Sequence, residues 1–224
     1  MKITKVSARV RNARGAADFY ASVLGVGVDR APNAVSVTIG ATRLVLVEDP
    51  AAEGDHHFAI TVPSNKFDRA KTWIQQRAVL LGTSDADEFE CSPAWNARSL
   101  YFTGHDRSVL ELIIRRDLDN ATAGPFTSTD LLCVSEVGVA AADVPPVAAT
   151  LIDDADVAPY GDAAGSTFRP IGDADGLLIV VTPGRPWFPT TDRTAQESPV
   201  SITAVGGRPG TYRLGACGSL HVLA

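Results

Sequence analysis

Ile3-Thr4-Lys5-Val6-Ser7-Ala8-Arg9-Val10 is rich in β-forming residues and alternates polar with apolar side chains. It breaks at Arg11-Asn12 into a segment with a different period, in which Ala16, Phe19, Tyr20, Val23 and Leu24 recur at helical spacing before Gly25. Asn12 suits an N-cap and Gly25 a stop, so the stretch reads as a strand followed by an amphipathic helix that lays one apolar stripe on a sheet. Three β-type runs follow at 26–28, 35–39 and 43–47, separated by Pro32-Asn33 and Gly40.

The same order returns twice. After a polar linker at 49–54, a strand at 57–62 precedes a helix at 66–77 carrying Phe67, Ala70, Trp73 and Ile74, and then β-type runs near 79–81, 99–103 and 109–114. After a second linker at 120–128, a strand at 131–139 leads to a helix starting near Asp143, with Pro145-Pro146 suited to its first turn, and to strands near Ala158, 166–169 and 177–181. The remainder begins with Pro183-Gly184-Arg185-Pro186-Trp187-Phe188-Pro189 and offers strands at 200–204, 212–214 and 220–223, a reduced fourth unit expected to close the third. Repetition of one supersecondary unit is the main organisational signal. It implies an α+β protein of repeated βαβββ modules, whose curved mixed sheets carry helices on the outside. The expected division is a paired-module region at 1–119, built from 1–49 and 55–117, and a second region at 129–224.

Bulk properties narrow the partners. At 224 residues and 45% apolar content the chain can bury a sizeable core. A net charge of −6, with no cluster of Lys and Arg, argues against nucleic acid, which is held by counterion-releasing basic patches. Lys2, Lys5, Arg9 and Arg11 interrupt the opening stretch where a secretion signal needs an apolar run, and the longest apolar runs fall far short of the ~20 residues that cross a bilayer. Three cysteines, Cys91, Cys133 and Cys217, without CxxC spacing suggest neither a disulfide framework nor a structural zinc site. A cytoplasmic protein with no membrane partner is expected. Free module edges suggest a homodimer.

The modules resemble those of the vicinal oxygen chelate superfamily, which includes glyoxalases, extradiol dioxygenases, fosfomycin-resistance enzymes and bleomycin-binding proteins. The resemblance rests on the opening strand with Phe19-Tyr20 and Val23-Leu24-Gly25, on His57-Phe58-Ala59-Ile60, and on Ser99-Leu100-Tyr101-Phe102 with Leu110-Glu111-Leu112. The turn Gly104-His105-Asp106-Arg107-Ser108 departs from the usual pattern. Pro93-Ala94-Trp95-Asn96-Ala97 together with Gly184-Arg185-Pro186-Trp187-Phe188-Pro189 resembles a bacterial subgroup named glyoxalase or ring-cleaving dioxygenase from its fold. A fold shared by so many chemistries does not name the reaction.

The resemblance implies ligand positions on the first and last strands of each module. His57 and Glu111 occupy two of them, suitable for Zn, Fe, Mn or Ni. The corresponding first-module positions hold Lys5, whose ammonium must lose a proton at a reference pKa of about 10.4 before it can ligate, and Val45, which has no donor. Two readings stay open. A divalent metal on His57 and Glu111, with Lys5 steadying an anionic oxygen of a small organic substrate, makes a metal-dependent enzyme, a lyase or dioxygenase. Alternatively Lys5 replaces the metal charge, pairs with Glu111, and leaves a metal-free pocket that binds a drug-like molecule. Ser7, Arg9, Thr61, Trp95 and Tyr101 are the expected pocket residues in either case. In the third module the ligand positions fall on Glu136 and Val180, and a lone carboxylate reads more simply as a structural or interface group. Trp187 and Phe188 read as interdomain packing ahead of cover for a pocket mouth. Cys91 reads as a small apolar residue, His105 as a solvent-facing turn residue, and His221 carries no assigned role.

Overall fold

The computed structural model describes residues 1–162 and 165–224. The first module comprises β1 (Lys2–Val10), α1 (Ala13–Ser22), β2 (Val28–Ala31), β3 (Ala34–Ile39) and β4 (Thr42–Glu48). The second comprises β5 (His57–Thr61), α2 (Phe67–Gln75), β6 (Leu80–Leu81), β7 (Phe89–Glu90), β8 (Ala97–Thr103) and β9 (Val109–Arg115). The third holds β10 (Cys133–Ala140), α3 (Val144–Ala149) running into one π turn, β11 (Phe168–Asp173) and β12 (Gly176–Val181). The fourth is β13 (Val200–Val205), β14 (Gly210–Leu214) and β15 (Gly218–Leu223), with no helix of its own.

One pairing rule generates both sheets. In every unit the first strand runs parallel to the last, as β1 with β4, β5 with β9, β10 with β12 and β13 with β15. Units are joined edge to edge by antiparallel first strands, β1 against β13 and β5 against β10. The result is a seven-stranded sheet, β14-β15-β13-β1-β4-β3-β2, and an eight-stranded sheet, β11-β12-β10-β5-β9-β8-β6, with β7 added on β8. The α+β modular architecture with mixed sheets is thus present. The partnership of modules differs from the expected one: the first unit pairs with the fourth and the second with the third. The 183–199 stretch carries the chain away from the third unit, so β13 reaches the free edge of β1.

Local chemistry explains the elements. Asn12 accepts a hydrogen bond from Gly15 N at 2.8 Å and caps α1, which buries Ala13, Ala16, Ala17 and Tyr20. Pro145 and Pro146 occupy the first turn of α3, where no intrahelical N–H is required. On β1 the alternation puts Val6, Ala8 and Val10 into the core and leaves Lys5, Ser7 and Arg9 on the other face. The backs of both sheets and the apolar stripes of the helices meet in one continuous core that includes Tyr20, Leu44, Phe58, Leu110, Val137, Leu178 and Ile202. Lys66 is buried and paired with Asp130 at 2.7 Å, tying the start of α2 to the approach to β10.

In the turn between β8 and β9, His105 points into that core and not into solvent. His105 is 5% exposed, its ring 5.2 Å from that of Tyr20, and neither ring nitrogen has a protein partner. Arg11 donates to the Asp106 carbonyl, and Asp106 accepts from the Arg11 and Asn12 amides, so the first module clamps the turn down. Asp106 and Arg107 hold positive φ to make the bend. Among the described residues no helix is long and apolar enough to cross a membrane.

Candidate metal centre

Period two on the eight-stranded sheet turns Phe58, Leu110, Leu112 and Val137 to the core and brings His57, Glu111 and Glu136 to the opposite, concave face. His57 opens β5, Glu111 lies on the adjacent β9, and Glu136 lies on β10 at the module join. The register of β10 shifts between Val134 and Glu136, which leaves Ser135 as a bulge and sets Glu136 opposite Ala59. Such bulges re-aim side chains next to functional sites.

The His57 Nδ1 lies 3.1 Å from the Val109 carbonyl oxygen, an acceptor only, so in the neutral ring Nδ1 carries the proton. Nε2 then presents its lone pair to Glu111 Oε2 at 3.6 Å and Glu136 Oε2 at 3.9 Å. One donor atom from each residue lies within 4.8 Å of the others. Ligand bonds of ~2.0–2.2 Å place neighbouring donors on the order of 3 to 3.5 Å apart, so His57 is already close to ligand spacing from both carboxylates and the widest pair needs to close by about an ångström around an ion. A neutral imidazole held by a backbone carbonyl, with two carboxylates, is a donor set that fits a divalent transition metal.

The electrostatics point the same way. Burial, and then the charge of Glu136, push the Glu111 carboxyl up to about 8, with His57 and Arg115 opposing. Burial would also raise Glu136, but the Arg115 guanidinium and His57 outweigh it and hold this carboxyl below its ordinary value. Burial lowers the His57 pKa, yet the facing carboxylates of Glu136 and Glu111 win and raise it. The cluster therefore gathers positive charge, as a proton or as a metal cation.

Arg115 is fully buried on β9, two residues beyond Ile113 on the same face. It donates through Nη2 to Glu136 Oε1 and through Nη1 to Ser135 Oγ at 3.3 Å. One Glu136 oxygen is thus occupied and the other is left for the centre.

A cavity of about 410 Å³ opens over the three residues. The 183–199 stretch forms part of its wall. Trp187 stacks on the His57 ring at 5.3 Å and donates from Nε1 to the Asp55 carbonyl at 2.6 Å. Gly138 makes this possible, because a Cβ there would lie 2.6 Å from the indole. Phe188 is half exposed and packs edge-on against Tyr101 at 5.4 Å. Trp95 and Tyr101 line the cavity, as does Cys91, whose thiol is pushed up to about 12 by burial and by Glu111 and is no ready nucleophile.

The structure brings His57, Glu111, Trp95 and Tyr101 together. It does not bring Lys5, Ser7 and Arg9 to them: these sit on β1 in the other sheet, Lys5 opposite Thr203 and Arg43. Because β1 pairs with β13, the Lys5 ammonium cannot neutralise Glu111. Thr61 is on the face of His57 but lines a separate small cavity with Cys133 and Asn120. Glu136, expected to be structural, joins the cluster because the third unit is the true partner of the second. The last-strand position of the third unit is Ile179, which lines the cavity, since Val180 is packed in the main core. Trp187 and Phe188 wall the cavity. Arg115 was not singled out from the sequence; its only signal was a charge closing the apolar run Leu112-Ile113-Ile114.

No family model and no curated protein matches the chain. Solved structures do. The chain is similar to the "putative dioxygenase" from Bacillus subtilis subsp. subtilis str. 168, at 16% identity and a TM-score of 0.62, over 91% of this chain and 70% of that one. It is similar also to a glyoxalase I mutant from Zea mays, at 13% identity and a TM-score of 0.55, over 90% of this chain and 74% of the other. Paired βαβββ modules and these likenesses show that the chain has the fold of the Bacillus subtilis structure and of glyoxalase I from Zea mays.

Proposed function

We propose that the protein is a metal-dependent enzyme that acts on a small organic molecule, with a divalent ion held by His57, Glu111 and Glu136. The observation that carries this is the convergence of one oriented imidazole and two buried carboxylates under a cavity walled by aromatic rings. When bound, the ion would supply Lewis acidity toward a substrate oxygen. His57 is oriented through Val109, and Glu136 through Arg115. Glu111, whose carboxyl burial and Glu136 push up to about 8 in the metal-free cluster, would give up that proton on binding the ion, and its carboxylate is then the base at the cavity floor. Trp187 and Tyr101 pack against the His57 ring, at 5.3 and 6.3 Å between centroids, and wall that side of the cavity. Ile179 at the fourth position leaves that side of the centre without a protein ligand, where a substrate oxygen has room.

Elemental analysis of protein purified without chelator should find close to one divalent transition metal per chain, and His57→Ala should lose it while keeping its far-ultraviolet circular dichroism. A folded wild-type protein that takes up no such metal after reconstitution refutes the proposal.

A further inference from the structure

The wall of the cavity says more about the ligand than the metal position does. Five aromatic side chains face it, Trp95 and Tyr101 from the second unit, Phe168 from β11, and Trp187 and Phe188 from the stretch that follows. Rings on several sides favour a flat, polarisable ligand, which can meet them face-on or edge-on, over a saturated one of equal size. Arg185 lies at the same cavity. Its guanidinium sits over the Phe168 ring, 5.0 Å from the centroid, exposed and without an ion-pair partner among the described residues. Two other exposed arginines, by contrast, are engaged: Arg107 pairs with Asp192, and Arg116 with Glu90.

Charge completes the argument. With a divalent ion in place the carboxylates of Glu111 and Glu136 are balanced, and the guanidinium groups of Arg115 and Arg185 remain. Arg115 is locked behind Glu136 and acts only through its field. Arg185 is free to bind, and a guanidinium fork matches a planar carboxylate. We propose that the substrate is a small aromatic acid, its ring held in the aromatic wall and its anionic group paired with Arg185. The proposal rests on the metal-site reading for the charge of the centre, but the aromatic wall and Arg185 stand without it.

Three probes of similar size separate the contributions: benzoate, the uncharged benzamide, and the non-aromatic cyclohexanecarboxylate. Binding is followed by tryptophan fluorescence and calorimetry on the full chain, first with its metal and then after chelation. Benzoate should bind at least about tenfold more tightly than either analogue to the metal-loaded protein. Arg185→Gln should erase the preference for benzoate over benzamide at unchanged metal content, and Phe168→Leu should narrow the gap to cyclohexanecarboxylate. Equal affinity for benzoate and benzamide, or for benzoate and cyclohexanecarboxylate, overturns the proposal, as does a preference that survives Arg185→Gln. A protein that takes up no metal refutes the function proposed above and not this one; an Arg185-dependent preference for benzoate should then persist in the metal-free protein, and its absence overturns the substrate class.

Discussion

The two sheets share one strand plan, yet the concave faces they present are opposites. In the eight-stranded sheet the four equivalent positions around the module join are His57, Glu111, Glu136 and Ile179; in the seven-stranded sheet the same register gives Lys5, Val45, Ser201 and His221. The first set is buried or walled in, whereas Lys5 is exposed and the His221 ring nitrogens are taken up by Thr211 and Ser219. The fold supplies two cradles, and the proposed chemistry belongs to the one whose positions carry donors and whose mouth is narrowed by the stretch after β12. Strand geometry alone, then, makes a place for a site; donor identity and exclusion of water make the site.

The largest difference between the faces should appear in metal affinity. Glu136→Gln is expected to weaken binding of the divalent ion by more than 100-fold, while Ser201→Ala, at the equivalent place, leaves it unchanged; competition with a chelating dye measures both. A loss of affinity in Ser201→Ala would break the contrast. Affinity should also fall as pH drops below about 8, because the ion must displace the Glu111 proton.

Of comparable size is the effect of the ion pair beneath the centre. Arg115→Met leaves Glu136 buried without its partner, and in metal-free protein it should cost about 3–5 kcal/mol in urea unfolding. Arg9→Met on the open face should stay within about 0.5 kcal/mol.

Acid should separate the halves through the turn that lies between them. Burial lowers the His105 pKa to about 3, and lowers that of His56 as well. Below the unfolded-state value of about 6.5 the unfolded chain binds a proton that folded His105 refuses, so stability is lost as pH falls from there toward 3, by up to about 1.4 kcal/mol per pH unit. His105→Leu should flatten that slope in denaturation curves taken across the range. Smallest is the effect of Gly138→Ala, where the new methyl group meets the Trp187 ring; about 1–3 kcal/mol and a loss of the indole's stacking on His57, visible in near-ultraviolet circular dichroism, are expected.

The modules were legible because each level of the signal agreed: the strand of Ile3 to Val10, the Asn12 cap, the helical stripe through Tyr20, and the return of the same order around His57. Two of the three candidate ligands were legible for the same reason, since His57 and Glu111 sit at fixed places within a single module. Glu136 was visible as a residue and misjudged as a group, because its value depends on which module lies beside it. That choice is made between strand edges more than 70 residues apart, where local pattern carries no information on partner. His105 deceived in the same way: turns face solvent as a rule, and only the clamp from Arg11 and Asn12 sinks this one. Trp187 lies in an irregular segment whose path depends on a glycine in a distant strand.

The nesting of one sheet's chain segments inside the other's has a kinetic consequence. Lys2 meets Val205 across the whole span that contains β5 and β10, while Phe58 meets Val137 over a much shorter one. Closing the longer loop costs only about 0.8 kcal/mol more in chain entropy, since that cost grows with the logarithm of length. The arrangement is therefore almost neutral at equilibrium. In time it is not: the segment holding all three candidate ligands can assemble by itself, whereas the four strands made first must wait for the last three before their own sheet is complete.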